Sequence, residues 1–462
     1  MFFERIYDTD LAQASYVIGC QVTGEAVVVD ARRDIAVYQD IAATNQLKIT
    51  AVTETHVHAD YLSGSRELAA ATGAALYVSG EGGPDWLYAF QAKQLLDGDT
   101  VKLGNITLTA VHTPGHTPEH LMFLVTDGAF ADEPGYALTG DFVFCGDLGR
   151  PDLLDEAAGG IDTRFVGAKQ MFSSLREKFL ALPDYVQVHP AHGAGSACGK
   201  ALGSVPSSTV GYERLHAWWG PYLIADDEEG FVTELLDGQP DAPAYFGRMK
   251  RQNVAGPKVI GERKPLPELF PKDVAASLAA HEVTFVDTRG QAEVHDVSVT
   301  GALNIPAIKS MATYGAWVID PEHDARPLVL LASGPNSARE MWDHLIRVGI
   351  DDVAGYVTTL DGLPQETPRL VQPDEVANFE KSLLLDVRAK SEHANGHLPD
   401  SEQLHGGRVL WNLDRLPSDG TIVTYCQSGV RSSVVASMLR HAGYDVVELE
   451  GSYAAWAKHH AE

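Results

Sequence analysis

Short apolar runs punctuate the first half of the chain at strand-like lengths: EAVVVDA, ITAVTET, NITLTAVHT, LMFLVT and YVQVHP. Between them, SGSRELAAATG and TRFVGAKQMFSSLREKFLAL are helix-like. This alternation predicts a layered α/β domain over residues 1–245. From 239 to 269 the pattern dissolves into QPDAPAYFGRMKRQNVAGPKVIGERKPLPEL, rich in Pro, Gly and basic residues. The main boundary is expected there, with 246–265 as a linker.

The rest of the chain holds an internal repeat. VTFVDTRGQAEV (283–294) answers to SLLLDVRAKSEH (382–393), 99 residues further on. HLIRVGIDDVAGYVTTLDG (344–362) answers to MLRHAGYDVVELEGSYAAW (438–456), with Gly349 and Gly443 offset by 94. Each copy reads as strand, loop, strand, glycine-ended helix, strand. Two small α/β modules are expected, at 266–365 and 366–462.

Composition narrows the function. A chain of 462 residues, 45% apolar, is too long for one core and long enough for two or three. Its formal charge of −28 argues against nucleic acid and anionic membranes as partners. The opening MFFERIYDTD has no basic-then-apolar leader pattern, and no apolar run reaches membrane-spanning length, so a cytoplasmic protein is expected. Cys20, Cys145, Cys198 and Cys426 lie far apart without CxxC spacing, so any cysteine chemistry is that of a single thiol.

Four clusters of ligand-type residues follow apolar runs, where strands should end. They are His56, His58 and Asp60 in THVHADYLSG; His112, His116 and His120 in HTPGHTPEH; Asp141 in LTGDFVFCGD; and His189 and His192 in VHPAHGAG. Open α/β folds place functional groups at such ends, and a metal site is the reading that accounts for all four.

His56, His58, Asp60, His116, Asp141 and His189 resemble the HxHxD, His, Asp, His pattern of the metallo-β-lactamase superfamily. The resemblance covers about residues 1–250 and implies an αββα sandwich with a metal at one edge of two packed sheets. Where glyoxalase II continues HxHxDH and binds a second ion, this chain has Tyr61, and a phenol replaces imidazole poorly. One metal is therefore expected. GDFVFCGDLGRPDLL, with Arg150 and Asp152, is similar to the GD…GR.D signature of persulfide dioxygenases. HPAHGAGSACGKALG and YFGRMKRQN also look like that group.

The resemblance implies one Fe(II) on His56, His116 and Asp141, with His58, Asp60, Tyr61 and His189 nearby. A site of two imidazoles and one carboxylate leaves positions for a persulfide sulfur and dioxygen, and zinc would instead support hydrolysis. Arg150 either pairs with Asp152 on a loop or, with Asp152, grips the carboxylate or phosphate of a thiol carrier. Cys145 and Cys198 are expected as small buried hydrophobes.

TIVTYCQSGVRSSVVASMLRHAGY (421–444) reads as a buried strand, a sharp turn at Cys426 and an apolar-faced helix ended by Gly443. Its turn aims backbone N–H groups inward, and Ser432 and Ser433 open the helix, a setting that stabilises a persulfide or bound anion. This loop, with LLLDVR before it, resembles the rhodanese sulfurtransferases over about 366–462. The resemblance implies Cys426 as the sulfur-accepting nucleophile and Arg431 as its helper. The first copy has LVLLASGPNSAREM (328–341), without cysteine or arginine at those positions and with Pro335 removing a donor. It resembles a rhodanese that has lost its chemistry.

Together these features predict an Fe(II) persulfide dioxygenase fused to two rhodanese-like modules, the first inactive. Its small-molecule partners would be a thiol persulfide, O₂ and sulfite or thiosulfate, with sulfide detoxification as the purpose and a homo-oligomer as the assembly. The alternative is a zinc thioesterase of glyoxalase II type with an accessory sulfurtransferase.

Overall fold

The computed structural model describes residues 1–156 and 162–461, which form two compact units: Met1–Ala242 with Phe246–Gly261, and Pro243–Tyr245 with Glu262–Glu462. In the first unit one six-stranded sheet runs in chain order through β1 (Phe2–Asp8), β2 (Gln13–Cys20), β3 (Glu25–Val29), β4 (Lys48–Thr53), β5 (Ala75–Ser79) and β6 (Lys93–Leu95). A second contains β7 (Thr100–Leu103), β8 (Ile106–His112), β9 (Leu121–Asp127), β10 (Tyr136–Gly140), β11 (Gln187–Pro190) and β12 (Ser208–Thr209), again side by side in chain order.

Strand alternation sorts side chains into layers. Ile18, Val27, Leu108 and Phe123 fill the space between the sheets. Their neighbours Val17 and Val28 face outward onto Tyr38 and Leu68 of the helices Ala36–Thr44 and Ser65–Thr72. On the far side Met122 and Val188 meet Met171, Phe172 and Phe231 of the helices Thr163–Ser174 and Glu228–Leu236. Each fully buried Leu, Ile or Phe contributes roughly 1.5–3 kcal/mol, so these three layers dominate the stability of the sandwich. The order is helix, sheet, sheet, helix, as expected of an αββα fold.

The stretch expected as a linker is instead structured. Phe246–Ala255 is a helix of the first unit, and Phe246, Met249 and Asn253 on it are buried. The chain beyond it stays bound: Glu67 accepts from Ile260 N and Gly261 N, and Arg66 donates to Pro257 O. A basic composition concealed apolar residues at helical spacing.

In the second unit the repeat is visible as repeated sheet order. The first copy orders its parallel strands Leu303–Asn304, Thr284–Asp287, Leu328–Leu331, Val353–Val357; the second orders Glu402–Gln403, Leu383–Asp386, Thr421–Tyr425, Asp445–Leu449, then Arg369–Val371. Both copies carry the same bidentate pair after the first core strand, Arg289 on Asp287 and Arg388 on Asp386. Gly349 and Gly443 both take the left-handed conformation, at φ +75° and +90°, just past their helices. Among the described residues no helix is long and apolar enough to cross a membrane.

Candidate metal centre

The ligand-type residues gather where strands of both sheets end. His56 follows β4, His116 lies between β8 and β9, and Asp141 follows β10 directly. Gly140 makes that last turn, with φ +53° and no room for a Cβ beside His120 and Thr55. Asp141 Oδ2 stands 3.5 Å from His116 Nε2 and 3.8 Å from His56 Nε2, too far for hydrogen bonds and suited to donors arrayed about one cation. Asp141 is fully buried, and neither of its carboxylate oxygens has a hydrogen-bond partner. A carboxylate left so is costly unless a cation completes the set. These residues therefore fit a metal ion.

The other ring nitrogens are already engaged. His116 Nδ1 lies 3.0 Å from Arg150 O, an acceptor only, so Nδ1 carries the proton and Nε2 offers its lone pair. For His56 the same result comes through a relay: Thr55 Oγ1 donates to Asp30 Oδ2 at 3.0 Å and so accepts from His56 Nδ1 at 2.9 Å. His120 stands behind the centre. Its Nδ1 meets Thr113 Oγ1 at 2.8 Å, and its Nε2 accepts from Asp141 N, holding the backbone of the carboxylate. His112 is peripheral, its Nε2 on Pro118 O.

His58 pairs with Asp30 instead, Nε2 to Oδ1 at 3.1 Å. Burial opposes its charge, but Asp30, Glu54 and Asp60 outweigh burial and hold its pKa up to about 9. Tyr61 takes no part as a ligand: its hydroxyl donates to Asp30 O and accepts from Gln13 Nε2.

A second group lies alongside. Ligand atoms of Asp60, His192 and Cys198 fall within 4.8 Å of one another, and His192 Nε2 is 3.5 Å from both Asp60 Oδ2 and Asp141 Oδ1. Three expectations are corrected here. His189, expected beside the metal, is on β11 and turns into the space between the sheets, 4.7 Å from the Phe3 ring and 6.0 Å from Tyr136. Its two ring nitrogens have no partner, and the histidine at the centre is His192, past the strand's end. Cys198 is buried, but beside Asp60 and His192 rather than among hydrophobes only.

The third concerns Arg150 and Asp152, for which an ion pair on a loop and a grip on substrate are equally expected from the sequence; the structure shows the ion pair. The guanidinium is fully buried and spent on Asp152 and Ala197 O. Its contribution to the centre is the backbone carbonyl that orients His116.

Sequence reasoning also missed Asn253. From the helix Phe246–Ala255 its Nδ2 donates to His58 O at 2.7 Å and Tyr61 O at 2.8 Å, while Oδ1 accepts from Ser63 N at 2.9 Å. One side chain thus clamps the HxHxD loop; its helical spacing from Phe246 and Met249 was the available signal.

In the second unit, Cys426 is buried at the end of the strand Thr421–Tyr425. Gly429 N donates to its Sγ at 3.1 Å, and Ser432 Oγ lies 3.6 Å away. Arg431 reaches Glu392 with both arms, at 2.7 and 2.8 Å. Cys145 and Cys198 are not paired with each other, and all four cysteines are free thiols.

Comparison with known proteins agrees with this division. Residues 8–192 match the metallo-beta-lactamase superfamily and residues 372–459 the rhodanese-like domain. The crystal structure of a metallo-beta-lactamase from Staphylococcus aureus is 36% identical, covers 77% of this chain and 98% of its own, and superposes with a TM-score of 0.66. The mitochondrial persulfide dioxygenase of Bos taurus is 26% identical over 200 residues, 42% of this chain and 68% of its own. A sulfurtransferase of Allochromatium vinosum is 38% identical over 85 residues, 18% of this chain and 79% of its own. Fold, ligand cluster and relatives agree: the chain belongs to the metallo-beta-lactamase superfamily and carries a rhodanese-like domain at its C-terminal end.

Proposed function

We propose that the first unit is a non-haem Fe(II) persulfide dioxygenase and that residues 366–462 are a sulfurtransferase, with 266–365 its cysteine-less copy. The observation that carries this reading is the buried, unpartnered Asp141 carboxylate facing two imidazoles whose Nε2 lone pairs are free. His56, His116 and Asp141 would hold the ion. Two histidines and one carboxylate suit Fe(II), which would supply the electron that triplet dioxygen needs to oxidise a closed-shell sulfur. One persulfide, one O₂ and one water then give thiol, sulfite and two protons.

The chain's residues do the arranging. Thr55 with Asp30, and the Arg150 carbonyl, hold the two imidazole protons away from the centre. Asn253 holds the loop that carries His56 and His58. Positive charge for an anionic persulfide comes from Lys250, one turn before Asn253 and so on the same helix face. Its ammonium lies 3.5 Å from the centre of the Trp86 ring, and burial pushes its pKa down to about 8 against the pull of Glu119. Cys426 would take sulfane sulfur from a persulfide and pass it to sulfite, giving thiosulfate, or run the reverse. Placing both sites on one cytoplasmic chain raises the effective concentration of sulfite at Cys426.

A second reading, a zinc hydrolase of glyoxalase II type, draws support from Asp60, His192 and Cys198, whose thiol suits zinc. The test is oxygen uptake by anaerobically Fe(II)-loaded protein on adding glutathione, coenzyme A or bacillithiol persulfide, beside a His116→Ala variant and a zinc-loaded sample. Iron-dependent uptake with sulfite or thiosulfate appearing is expected. No uptake with any of them, together with thioester cleavage by the zinc form, would replace this reading with the hydrolase.

A further inference from the structure

The copy without a cysteine touches the loop that has one. Gln291 opens the helix Gln291–Asp296 of the first copy, and its Nε2 donates to Ser428 O at 3.0 Å. Ser428 O belongs to the same peptide unit as Gly429 N, the donor that meets Cys426 Sγ at 3.1 Å. In a planar trans peptide the C=O and N–H point in opposite directions, so fixing the oxygen fixes where the hydrogen aims. A hydrogen bond accepted at the oxygen also polarises the N–H and strengthens it as a donor.

The spot needs such an anchor because Gly429 is free to turn. Its φ is +107°, and glycine crosses between positive and negative φ at little cost. A turned-over peptide would present a carbonyl oxygen to the sulfur and repel a thiolate or persulfide. The positive φ is what requires glycine here, and the absent Cβ leaves room for the Gln291 amide, which would lie 2.6 Å from one. A second strut supports the loop independently. Asn304 of the first copy accepts from Ser433 Oγ at 3.1 Å and donates its N–H to Ser437 Oγ at 2.8 Å, both on the helix Val430–His441 that starts at the loop.

We propose that the cysteine-less copy is a working part of the sulfur site, and that Gln291 is a positioning residue that aims the Gly429 N–H at the sulfur of Cys426. The inference rests on the sulfurtransferase reading of Cys426. In that reaction the Cys426 thiolate bonds to the sulfane sulfur of thiosulfate, the S–S bond of thiosulfate breaks, and sulfite leaves with the electron pair. The new persulfide carries the negative charge beside the same N–H.

The test uses the full chain with Gln291→Ala, Gln291→Glu and Cys426→Ser. It reads the pH profile of iodoacetamide alkylation on the Cys426 peptide by mass spectrometry, with thiosulfate turnover alongside, a thiol acceptor taking the outer sulfur as its own persulfide and releasing the Cys426 thiolate. The alkylation midpoint should move up by about 0.5 unit in Gln291→Ala, which at about 1.36 kcal/mol per unit is within the worth of one net hydrogen bond. It should move further in Gln291→Glu, which sets an acceptor against Ser428 O, and turnover should fall several-fold in both. Profiles that superimpose on the parent, while Cys426→Ser abolishes transfer, would overturn the positioning role and leave the sulfurtransferase reading standing. Transfer that survives Cys426→Ser overturns that reading itself.

Discussion

Truncating Asn253 to alanine should loosen the metal loop from 190 residues away in sequence. The side chain is 1% exposed and makes three hydrogen bonds, to His58 O, Tyr61 O and Ser63 N. Its loss leaves three buried backbone groups without that partner, at about 1–2 kcal/mol each, or about 3–6 kcal/mol together. A domain's whole net stability is only about 5–15 kcal/mol, so local opening should show it first. The assay is amide hydrogen exchange on peptides spanning residues 55–64. At about 1.4 kcal/mol per tenfold, exchange there should quicken by at least about a hundredfold. Asn253→Asp should do the same, because it keeps the acceptor for Ser63 N but turns an oxygen onto two carbonyls. Arg251→Ala, on the exposed side of the helix, serves as the control. Metal retention after gel filtration should fall with the loss of protection. Exchange within about threefold of the parent in both Asn253 variants would refute the clamp.

His189→Phe should keep the metal content of the parent and unfold at lower pH. Burial, helped by Arg5, pushes the His189 pKa down to about 4 from an ordinary 6.5. Between those values the unfolded chain binds a proton that the folded chain refuses, so stability falls as pH drops through that window, by up to a few kcal/mol; phenylalanine abolishes this term. Acid titration followed by circular dichroism checks it, and a loss of metal would contradict the placement of His189. Arg150→Lys should weaken metal retention by breaking a buried bidentate pair worth about 3–5 kcal/mol to disrupt, yet leave the relative KM values for different thiol persulfides unchanged. A changed preference among carriers would return Arg150 to the substrate. Glu392→Gln should release Arg431 from its bidentate partner and lower KM for thiosulfate several-fold in steady-state kinetics; a raised KM would show that Glu392 aims Arg431 rather than neutralising it.

The layered sandwich and the repeat were legible because apolar runs, turns and glycine helix ends are local signals. The clustering at strand ends was legible for the same reason. What failed was decided by contacts distant in sequence. His189 and His192 sit within one short motif, and only the point where β11 stops determines that the first packs between sheets and the second reaches the centre. Arg150 suits an ion pair and a substrate grip equally in sequence, and its burial against Asp152 is visible only in the fold. The helix Phe246–Ala255 reads as a linker in sequence because its basic residues obscure the buried Phe246, Met249 and Asn253, and the partners of Asn253 lie in a loop near the start of the chain.

The placement of His56 on one sheet and of His116 and Asp141 on the other has a mechanical consequence. With all four cysteines free, no covalent bridge joins the two sheets. An ion held by those three side chains would act as the missing cross-link, closing a long loop of the unfolded chain and converting metal affinity into folding free energy. Thermal scans of the first unit should therefore shift with free metal concentration, and chelation should expose it to proteolysis before the second unit is touched.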